Sequence, residues 1–470
     1  MMGALVLAAA AYSLLQATVG PAVPTFQREF HAQTGELAWI MNGFILSSAV
    51  ATPIAGRLGD MFGRRRVLVI VLVLLAAGTA VCALATSLWV MVAGRVVAGL
   101  GGAVFPLSFA IVREALPPEK VGPAIGWLSA VVGVGGGIGI VATGPIVEHL
   151  SYHWLFWLPL LLVGATLAAV LLCVPGSAPV QAPGRTDWAG AFLLAGTLVS
   201  LLLALTKATV WPVPVVAALS GGAAVLGAGW AWLASRTAEP LIELRMLRLP
   251  AVWTANAAAA LSGIAASSAM FLLPQLAAQQ PSTGFGFGLD ASSAGLFILP
   301  QSFTILLAGV LAGRACASRG SRAVLLAGAL VSAVGLAELA ALHDTQWQAY
   351  LASGVIGLGT GLMQTAMADL VVRAVPPAHT AAAAGTNMVA RNIGMAIGAQ
   401  QAATVLATGP AGTPGTTGFI TACIIAAAAA TLAIGTSLRA PSLESAGRGT
   451  ESQQQDDQHD DTRGQRTAPH

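Results

Sequence analysis

Fourteen long apolar runs divide this chain, and they restrict its fold more than any other feature of the sequence. Each run holds about 20 mainly apolar residues, the length that a helix needs to cross the hydrocarbon core of a bilayer. The runs begin near Leu5, Leu37, Val67, Trp89, Pro123, Trp154, Trp188, Pro214, Val252, Ala294, Ala323, Gln348, Ala381 and Phe419. With 56% hydrophobic and 9% charged residues, the sequence predicts an all-α polytopic membrane protein, whose spans we number 1 to 14.

Charge and cysteine content argue against several other classes of protein. The net charge of +3 is small and dispersed, so the bilayer and not a nucleic acid is the predicted partner. Cys82, Cys173, Cys316 and Cys423 are single and widely spaced, which predicts no metal site. The sequence contains no GxxxxGK[ST] loop, so we predict neither ATP use nor any other cofactor.

Basic residues are concentrated on one side of the predicted topology. If the amino terminus is cytoplasmic, the cytoplasmic loops between spans carry fourteen Lys and Arg, whereas the opposite loops carry only Arg28 and Lys207. Lys and Arg are retained in cytoplasmic loops during insertion. The pattern therefore predicts a multi-pass protein of the plasma (inner) membrane with both termini in the cytoplasm.

An internal repeat divides the spans into two halves. GRLGDMFGRRRVL, from Gly56, aligns with GRACASRGSRAVL, from Gly313, at a shift of 257 residues, and Gly63 then matches Gly320. Two six-span halves around a site near the membrane midplane are a common transporter design. We predict four segments: a first half (1–174), a linker with two inserted spans (175–250), a second half (251–438) and a disordered tail (439–470).

The sequence around these loops resembles the major facilitator superfamily. GRLGDMFGRRR (56–66) is similar to the family's loop between spans 2 and 3, and AGRVVAGLGGAVFP (93–106) is similar to its span 4 arginine motif. GGGIGIVATGPIVEHLSYHWLFW (135–157) resembles the span 5 motif of the 14-span drug:proton antiporter branch. The resemblance implies two pseudo-symmetric six-helix halves plus two inserted central helices, in a transporter that functions as a monomer.

The loop between spans 2 and 3 is a candidate conformational latch. Its five candidate residues are Gly56, Asp60, Gly63, Arg64 and Arg65. Topology alone accounts for the arginines, but not for Asp60. A carboxylate there can accept hydrogen bonds from an arginine and from helix amino-terminal amides, which the rocking of the halves would break. The second copy has Ala317 at this position, so the predicted latch is one-sided.

Two other motifs supply candidates through the resemblance. Arg95 takes the place of the span 4 arginine that the family links to proton transfer. In span 5 the candidate packing residues are Gly135, Gly139, Gly144 and Pro145. Two positions depart from the family pattern. Gln16 stands where many members have a span 1 aspartate, which weakens the case for proton coupling, and Ile140 stands where a proline is expected.

Polar residues inside the spans are candidates for a substrate cavity. They are Gln16, Asn42, Asn256, Gln301, Gln364 and Arg391. An arginine deep in a span costs at least ~2.5 kcal/mol, so Arg391 should face protein or water. We expect an apolar pocket completed by Trp39, Phe105, Met270, Phe271 and Met363, which would suit amphiphilic organic compounds. Carboxylates are scarce, and Asp369 is predicted to pair with Arg373 at i+4.

The leading hypothesis is a secondary active exporter of hydrophobic or amphiphilic organic molecules, driven by proton entry. Its small-molecule substrates are expected to be neutral or anionic. A uniporter or importer of a small metabolite on the same fold is one alternative, and a non-transporting receptor or scaffold is another. A membrane enzyme is disfavoured, because His149, His153 and His343 show no catalytic or metal-binding spacing.

Overall fold

All regular secondary structure in the described part of the chain is helical. The computed structural model describes residues 1–31, 34–176, 187–208, 211–237, 244–281, 285–289, 291–406 and 415–439. Thirteen of its helices are long and apolar enough to cross a membrane. A further helix, Thr380–Leu406, is less apolar because it carries Arg391 and several amides, but its 27 residues extend ~40 Å, enough to cross a bilayer. The prediction of an all-α polytopic membrane protein is confirmed, and with this helix the described residues contain a long helix at each of the fourteen predicted spans.

The spans follow one another in the predicted order. Spans 1 to 6 are Met2–Ala17 continued by Val19–Phe30, Thr34–Phe62, Arg64–Ala83, Leu88–Gly99 continued by Leu100–Ala103 and Val104–Ala115, Pro118–His149, and Trp154–Cys173. Spans 7 and 8 are Trp188–Thr206 and Val213–Arg236, and the short helix Leu244–Leu247 follows them. Spans 9 to 14 are Pro250–Ala278, Leu299–Arg319 preceded by Ala291–Leu296, Ser321–Ala341, Gln346–Ala374, Thr380–Leu406 preceded by Pro377–His379, and Thr416–Leu438.

The internal repeat is visible in the backbone of both copies. Gly63 and Gly320 have φ values of 97° and 84°, and each stands directly before the next span. This region of φ is costly for residues with a Cβ, so both loops need glycine for their sharp turn. We call the end of the bundle that holds these two turns the basic end.

Arginines two residues after each glycine make equivalent contacts. Arg65 donates a hydrogen bond to the Leu171 carbonyl at the end of span 6 (2.6 Å). Arg322 donates one to the Leu438 carbonyl at the end of span 14 (2.7 Å). Spans 6 and 14 therefore occupy matching places in the two halves.

Two pairs of spans bring the halves into close contact. Spans 5 and 10 approach closely, because a Cβ built on Gly126 would lie 2.5 Å from the Gly309 carbonyl oxygen. Spans 2 and 13 meet at the basic end, where a Cβ on Gly56 would lie 2.7 Å from the Ala381 oxygen. The repeat thus places Gly56 and Gly313 at related crossings between the halves, since a Cβ on Gly313 would lie 2.7 Å from the Gly122 carbonyl oxygen.

The first inserted span packs against both halves. Ala191, Leu194 and Leu198 of span 7 form a buried cluster with Val389 of span 13, and Val50 of span 2 packs against it. Span 8 packs on span 7. Residues 177–186, 238–243 and 440–470 lie outside the described part, so the predicted segment boundaries and the disordered tail stay predictions.

Candidate functional site

A cavity of about 450 Å³ lies between the two halves. Most of its wall is apolar and includes Phe44, Phe105, Met270, Phe271 and Met395. The polar residues that line it are Tyr12, Gln16, Asn42, Ser48, Arg95, Thr206, Ser267, Arg391, Asn392 and Gln400. An apolar wall with a few polar groups is typical of sites for small organic ligands. We call this the main cavity.

The main cavity is displaced from the basic end. On span 2 its lining extends from Met41 to Ser48, far from the turn at Gly63, and on span 13 it extends from Met388 to Gln400. Nearer the basic end lies a much smaller space of about 40 Å³, which we call the small cavity. The bundle is therefore packed closely at the basic end and opens into a cavity beyond it.

Span 4 brings Arg95 to the cavity wall. Gly99 and Gly102 let span 4 press against span 2, because a Cβ at either position would overlap a serine hydroxyl. Arg95 then donates hydrogen bonds to the carbonyls of Ile40 (3.2 Å) and Leu15 (3.0 Å). Its guanidinium carbon lies 4.2 Å from the Phe44 ring centroid. Arg95 is buried and ties span 4 to spans 1 and 2.

Tyr12 forms an aromatic corner of the cavity with Phe44 and Phe105. The ring centroids are 5.4 Å apart for Tyr12 and Phe44, which are stacked, and 6.0 Å apart for Tyr12 and Phe105, which meet edge to face. The Tyr12 hydroxyl is hydrogen-bonded to Ser48 Oγ (2.8 Å). Such corners give rigid contact surface for flat apolar molecules.

Arg391 enters the cavity from the opposite half. It lies near the middle of span 13 and lines both the main and the small cavity. Its guanidinium makes no hydrogen bond or ion pair with any residue that the structure describes. Among the described residues that line either cavity, none is acidic.

A buried ionic cluster closes the basic end of the first half. Arg64 donates hydrogen bonds to Asp60 Oδ1 from Nε (3.1 Å) and Nη2 (3.0 Å), and it forms an ion pair with Glu114 (3.1 Å). It also donates to the Ala110 carbonyl (3.0 Å). Asp60 and Arg64 are almost completely buried, so their partners must offset the cost of removing both charges from water.

The same cluster contacts the beginning of span 13 in the other half. The Ala382 amide donates to Asp60 Oδ2 (3.4 Å), and Arg64 donates to the Pro377 carbonyl. Arg113, at the end of span 4, donates to Thr380 Oγ1 (2.7 Å). Gly56, Asp60 and Arg64 thus lie at the contact between the halves, whereas Gly63 forms the turn and Arg65 contacts span 6 of its own half. The role of all five in gating stays a prediction.

A second carboxylate occupies the related place in the other half. Asp369 is buried, pairs with Arg373 (2.9 Å) as predicted, and accepts a hydrogen bond from Ser321 Oγ (2.6 Å). A Cβ on Gly122, in the first turns of span 5, would lie 3.4 Å from Asp369 Oδ1. The latch was predicted to be one-sided because the repeat has Ala317 at the position of Asp60. Asp369 lies beside the related crossing from a different span, and a one-sided latch stays a prediction.

The predicted cavity residues fall into three groups. Gln16, Asn42 and Arg391 line the main cavity, together with Phe105, Met270 and Phe271. Gln364 lines the small cavity. Four other candidates lie outside the linings of both of these cavities: Asn256, Gln301, Trp39 and Met363.

These four residues have other contacts. Asn256 accepts a hydrogen bond from Asn387 (3.1 Å), and Gln301 is buried where span 10 packs on Gly357 of span 12. Met363 packs against span 11. The Trp39 ring centroid lies 5.6 Å from Lys207 Nζ, and burial lowers the pKa of that ammonium.

Three positions of the span 5 motif were predicted to pack closely through glycine. A Cβ on Gly135 would lie 2.5 Å from Ser13 Cβ, and one on Gly139 would lie 2.8 Å from Ala17 Cβ, so both hold span 5 against span 1. The prediction is wrong for Gly144, where a Cβ would meet nothing within 4 Å. Positions 135, 139 and 143 share one face of a helix, and it is Thr143 that bonds the Thr18 carbonyl (3.1 Å). Gly144 and Pro145 are exposed.

Three features of the site were missed at the sequence level. Glu114 completes the ionic cluster, but the sequence around it did not indicate that Arg64 would be its partner. Tyr12 is one of only three tyrosines and stands inside a span, which was an available signal. Leu202 and Thr206, from inserted span 7, line the main cavity, and nothing in their pattern indicated this.

The fold and the cavity together define a polytopic helical membrane protein of the transporter type. The Major Facilitator Superfamily model matches residues 5–399 and 255–458. The chain belongs to this superfamily.

Several characterised or named proteins are similar over most of the chain. The tetracenomycin C resistance and export protein of Streptomyces glaucescens is 28% identical over 385 residues, covering 81% of this chain and 70% of that protein. The probable actinorhodin transporter of Streptomyces coelicolor is 28% identical over 411 residues, covering 84% and 70%. The multidrug resistance protein B homolog of Mycobacterium tuberculosis is 26% identical over 399 residues, covering 81% and 71%.

A solved structure supports the same fold. The crystal structure of the human organic anion transporter MFSD10 (TETRAN) superposes with a TM-score of 0.63 and covers 93% of this chain and 97% of that chain. Its sequence identity is 17%, so the match concerns the fold alone.

Proposed function

We propose that this protein exports hydrophobic or amphiphilic organic compounds across the plasma membrane by alternating access, driven by proton entry. The observation that carries the proposal is the main cavity of about 450 Å³, enclosed between two halves that are tied together at one end. Three similar proteins are named as exporters, transporters or multidrug resistance proteins. Tetracenomycin C and actinorhodin, for which two of these proteins are named, are the first compounds to test.

The proposed cycle uses the contacts at the basic end as the inner gate. With the positive-inside topology, the basic end faces the cytoplasm and the described state is closed to that side. Breaking the contacts of Asp60 and Arg64 with span 13 would let the halves rock apart and admit substrate from the cytoplasm or the inner leaflet. Reforming these contacts would close the cavity to the cytoplasm and open it to the outside, where the substrate leaves. We propose that one chain carries out this cycle as a monomer.

A facilitated uniporter is the second candidate, and one observation favours it. Gln16 lines the main cavity at the position where an acid was expected, and none of the described residues that line the cavity is acidic. Without a carboxylate that binds a proton in the cavity, coupling would need a group elsewhere, such as Asp60 at the gate. The two candidates differ in their response to the proton gradient.

The test uses inside-out vesicles that contain the protein, with tetracenomycin C as the first substrate. We expect substrate accumulation when a proton gradient is imposed, its collapse when an uncoupler is added, and substrate-induced proton movement in the wild type. Arg95→Ala and Asp60→Asn should each reduce transport. Equilibration that is indifferent to the uncoupler would favour the uniporter, and binding without any movement of substrate would refute transport.

A further inference from the structure

The Arg391 guanidinium has no counter-charge in the described part of the protein. Other deep charges in the bundle have partners: Arg64 is held by two carboxylates, and Arg373 by Asp369. A cation near the middle of a span is costly and is normally paired with an acid or with backbone carbonyls. Arg391 has neither among the described residues, although it is partly buried and lines both cavities.

Arg95 shows that a cavity arginine in this protein can be satisfied without an acid. Its Nε and Nη1 groups donate to two backbone carbonyls, and its plane lies over Phe44. Arg391 enters from the facing half and makes no such bonds with described residues. Five N–H donors in a fixed planar fork are therefore left facing a mainly apolar cavity. This arrangement suits an Arg391 side chain whose counter-charge is supplied by a bound ligand.

The surroundings of Arg391 fit one shape of ligand. Met388 and Met395 flank it on span 13, and Met270 and Phe271 add apolar surface from span 9. Methionine side chains adapt to flat apolar bodies of varied shape. A ligand that places an aromatic body on these residues can direct an acidic group to the guanidinium.

We propose that Arg391 is the anion-binding subsite of the main cavity, and that the preferred substrates are aromatic amphiphiles carrying a carboxylate or another deprotonated acidic group. This inference rests on the proposed function, because it assigns the substrate class of the same cavity. The guanidinium forms charge-assisted hydrogen bonds with the anion, and two parallel bonds give both strength and orientation. Neutral analogues bind through the apolar wall alone, and cationic analogues are repelled.

The test compares three probes with the same ring and chain: pyrenebutyrate, pyrenebutanol and pyrenebutylamine. Affinities are measured by fluorescence with the purified full chain in nanodiscs of zwitterionic lipid. The wild type should bind the carboxylate at least about tenfold more tightly than the alcohol, and the amine most weakly. Arg391→Gln should remove the preference for the carboxylate while leaving the affinity for the alcohol within about twofold.

Two variants control for disturbance of the fold. Arg391→Lys keeps the charge and should retain part of the carboxylate preference. Arg319→Gln makes the same change as Arg391→Gln at an exposed arginine that ends span 10, and it should retain all of the preference. Equal affinity of the wild type for carboxylate and alcohol, or equal loss of both in Arg391→Gln, would overturn the proposal. Transport assays separate it from the proposed function. If the protein exports substrates without any charge preference, only the proposed subsite is refuted. If it binds anions selectively but exports nothing, only the proposed transport function is refuted.

Discussion

The Asp60 carboxylate accepts a hydrogen bond from the Ala382 backbone amide across the contact between the two halves, at 3.4 Å. Ala382 lies in the first turn of span 13, where amide groups are not used by the helix itself and the helix dipole favours negative charge. The same carboxylate is fixed by Arg64 within its own half. The Asp60 side chain therefore takes part both in the packing within the first half and in the contact of that half with the second.

Asp60→Asn should loosen the basic end. An amide keeps the shape of the side chain, but it loses the charge that both Arg64 and the span 13 amides favour. We expect transport to slow roughly tenfold, since charge-assisted hydrogen bonds contribute about 1.5–3 kcal/mol. Opening is measured as maleimide labelling of Ala384→Cys, a buried position on the small cavity, with the exposed Cys173 replaced by Ser. Labelling should become faster.

Asp344→Asn is the matched control for this experiment. Asp344 is an exposed carboxylate after span 11, away from the basic end, so its removal should change neither labelling nor transport. Normal transport and unchanged labelling in Asp60→Asn would contradict the latch. Asp369→Asn should act in the same direction as Asp60→Asn if the second carboxylate supports the related crossing at Gly122.

Arg64→Gln should destabilise the whole protein. Its removal leaves Asp60 buried without its main counter-charge and breaks the bond to Pro377 in the other half. Breaking a buried ion pair by removing one partner costs about 3–5 kcal/mol, so the unfolding temperature in detergent should fall clearly. Arg66→Gln removes an exposed arginine two residues away and should leave that temperature unchanged. Equal effects of the two substitutions would show that only the charge of the loop matters.

The spans and the repeat could be predicted because they rest on one-dimensional properties. Length and hydropathy define a spanning helix, and the paired glycines at 63 and 320 keep their spacing because both turns need positive φ. The rotation of each span was much harder to predict. In a membrane helix the lipid-facing and buried faces are both apolar, so hydrophobic periodicity hardly distinguishes them.

Asn256 and Gln301 illustrate this limit. Both are polar residues in spans that contribute to the second half, and both turn toward other helices and away from the cavities. Thr206 is the reverse case, because it lines the main cavity although the sequence did not place it among the candidates. The partners of Asp60 were predicted only as a neighbouring arginine and the amides of some helix amino terminus. Which helix supplies these amides depends on how the two halves pack together, and a local sequence motif does not determine that.

Gly135→Ala and Gly144→Ala should differ although they make the same change in one helix. A Cβ at Gly135 would meet Ser13 at 2.5 Å, and the tight packing of spans 1 and 5 should lose about 1–3 kcal/mol. A Cβ at Gly144 meets open space, so the better helix propensity of alanine should leave stability unchanged or raise it by up to about 1 kcal/mol. Thermal unfolding in detergent measures both. A destabilised Gly144→Ala variant would contradict the described packing.

Thr206→Phe should change which substrates are transported more than whether transport occurs. Thr206 ends span 7 and lines the main cavity, and its hydroxyl is already bonded to the Leu202 carbonyl of its own helix (2.8 Å), so its loss leaves no partner in another span. A ring at this position narrows the cavity from the side of the inserted pair. We expect vesicle transport of the polycyclic pyrenebutyrate to fall at least about tenfold relative to the single-ring phenylbutyrate, because overpacking excludes the larger body first. Ser220→Phe adds the same ring at an exposed position on span 8 and should leave the ratio of the two rates unchanged. If both variants kept the wild-type ratio, span 7 would support the bundle without shaping the substrate site.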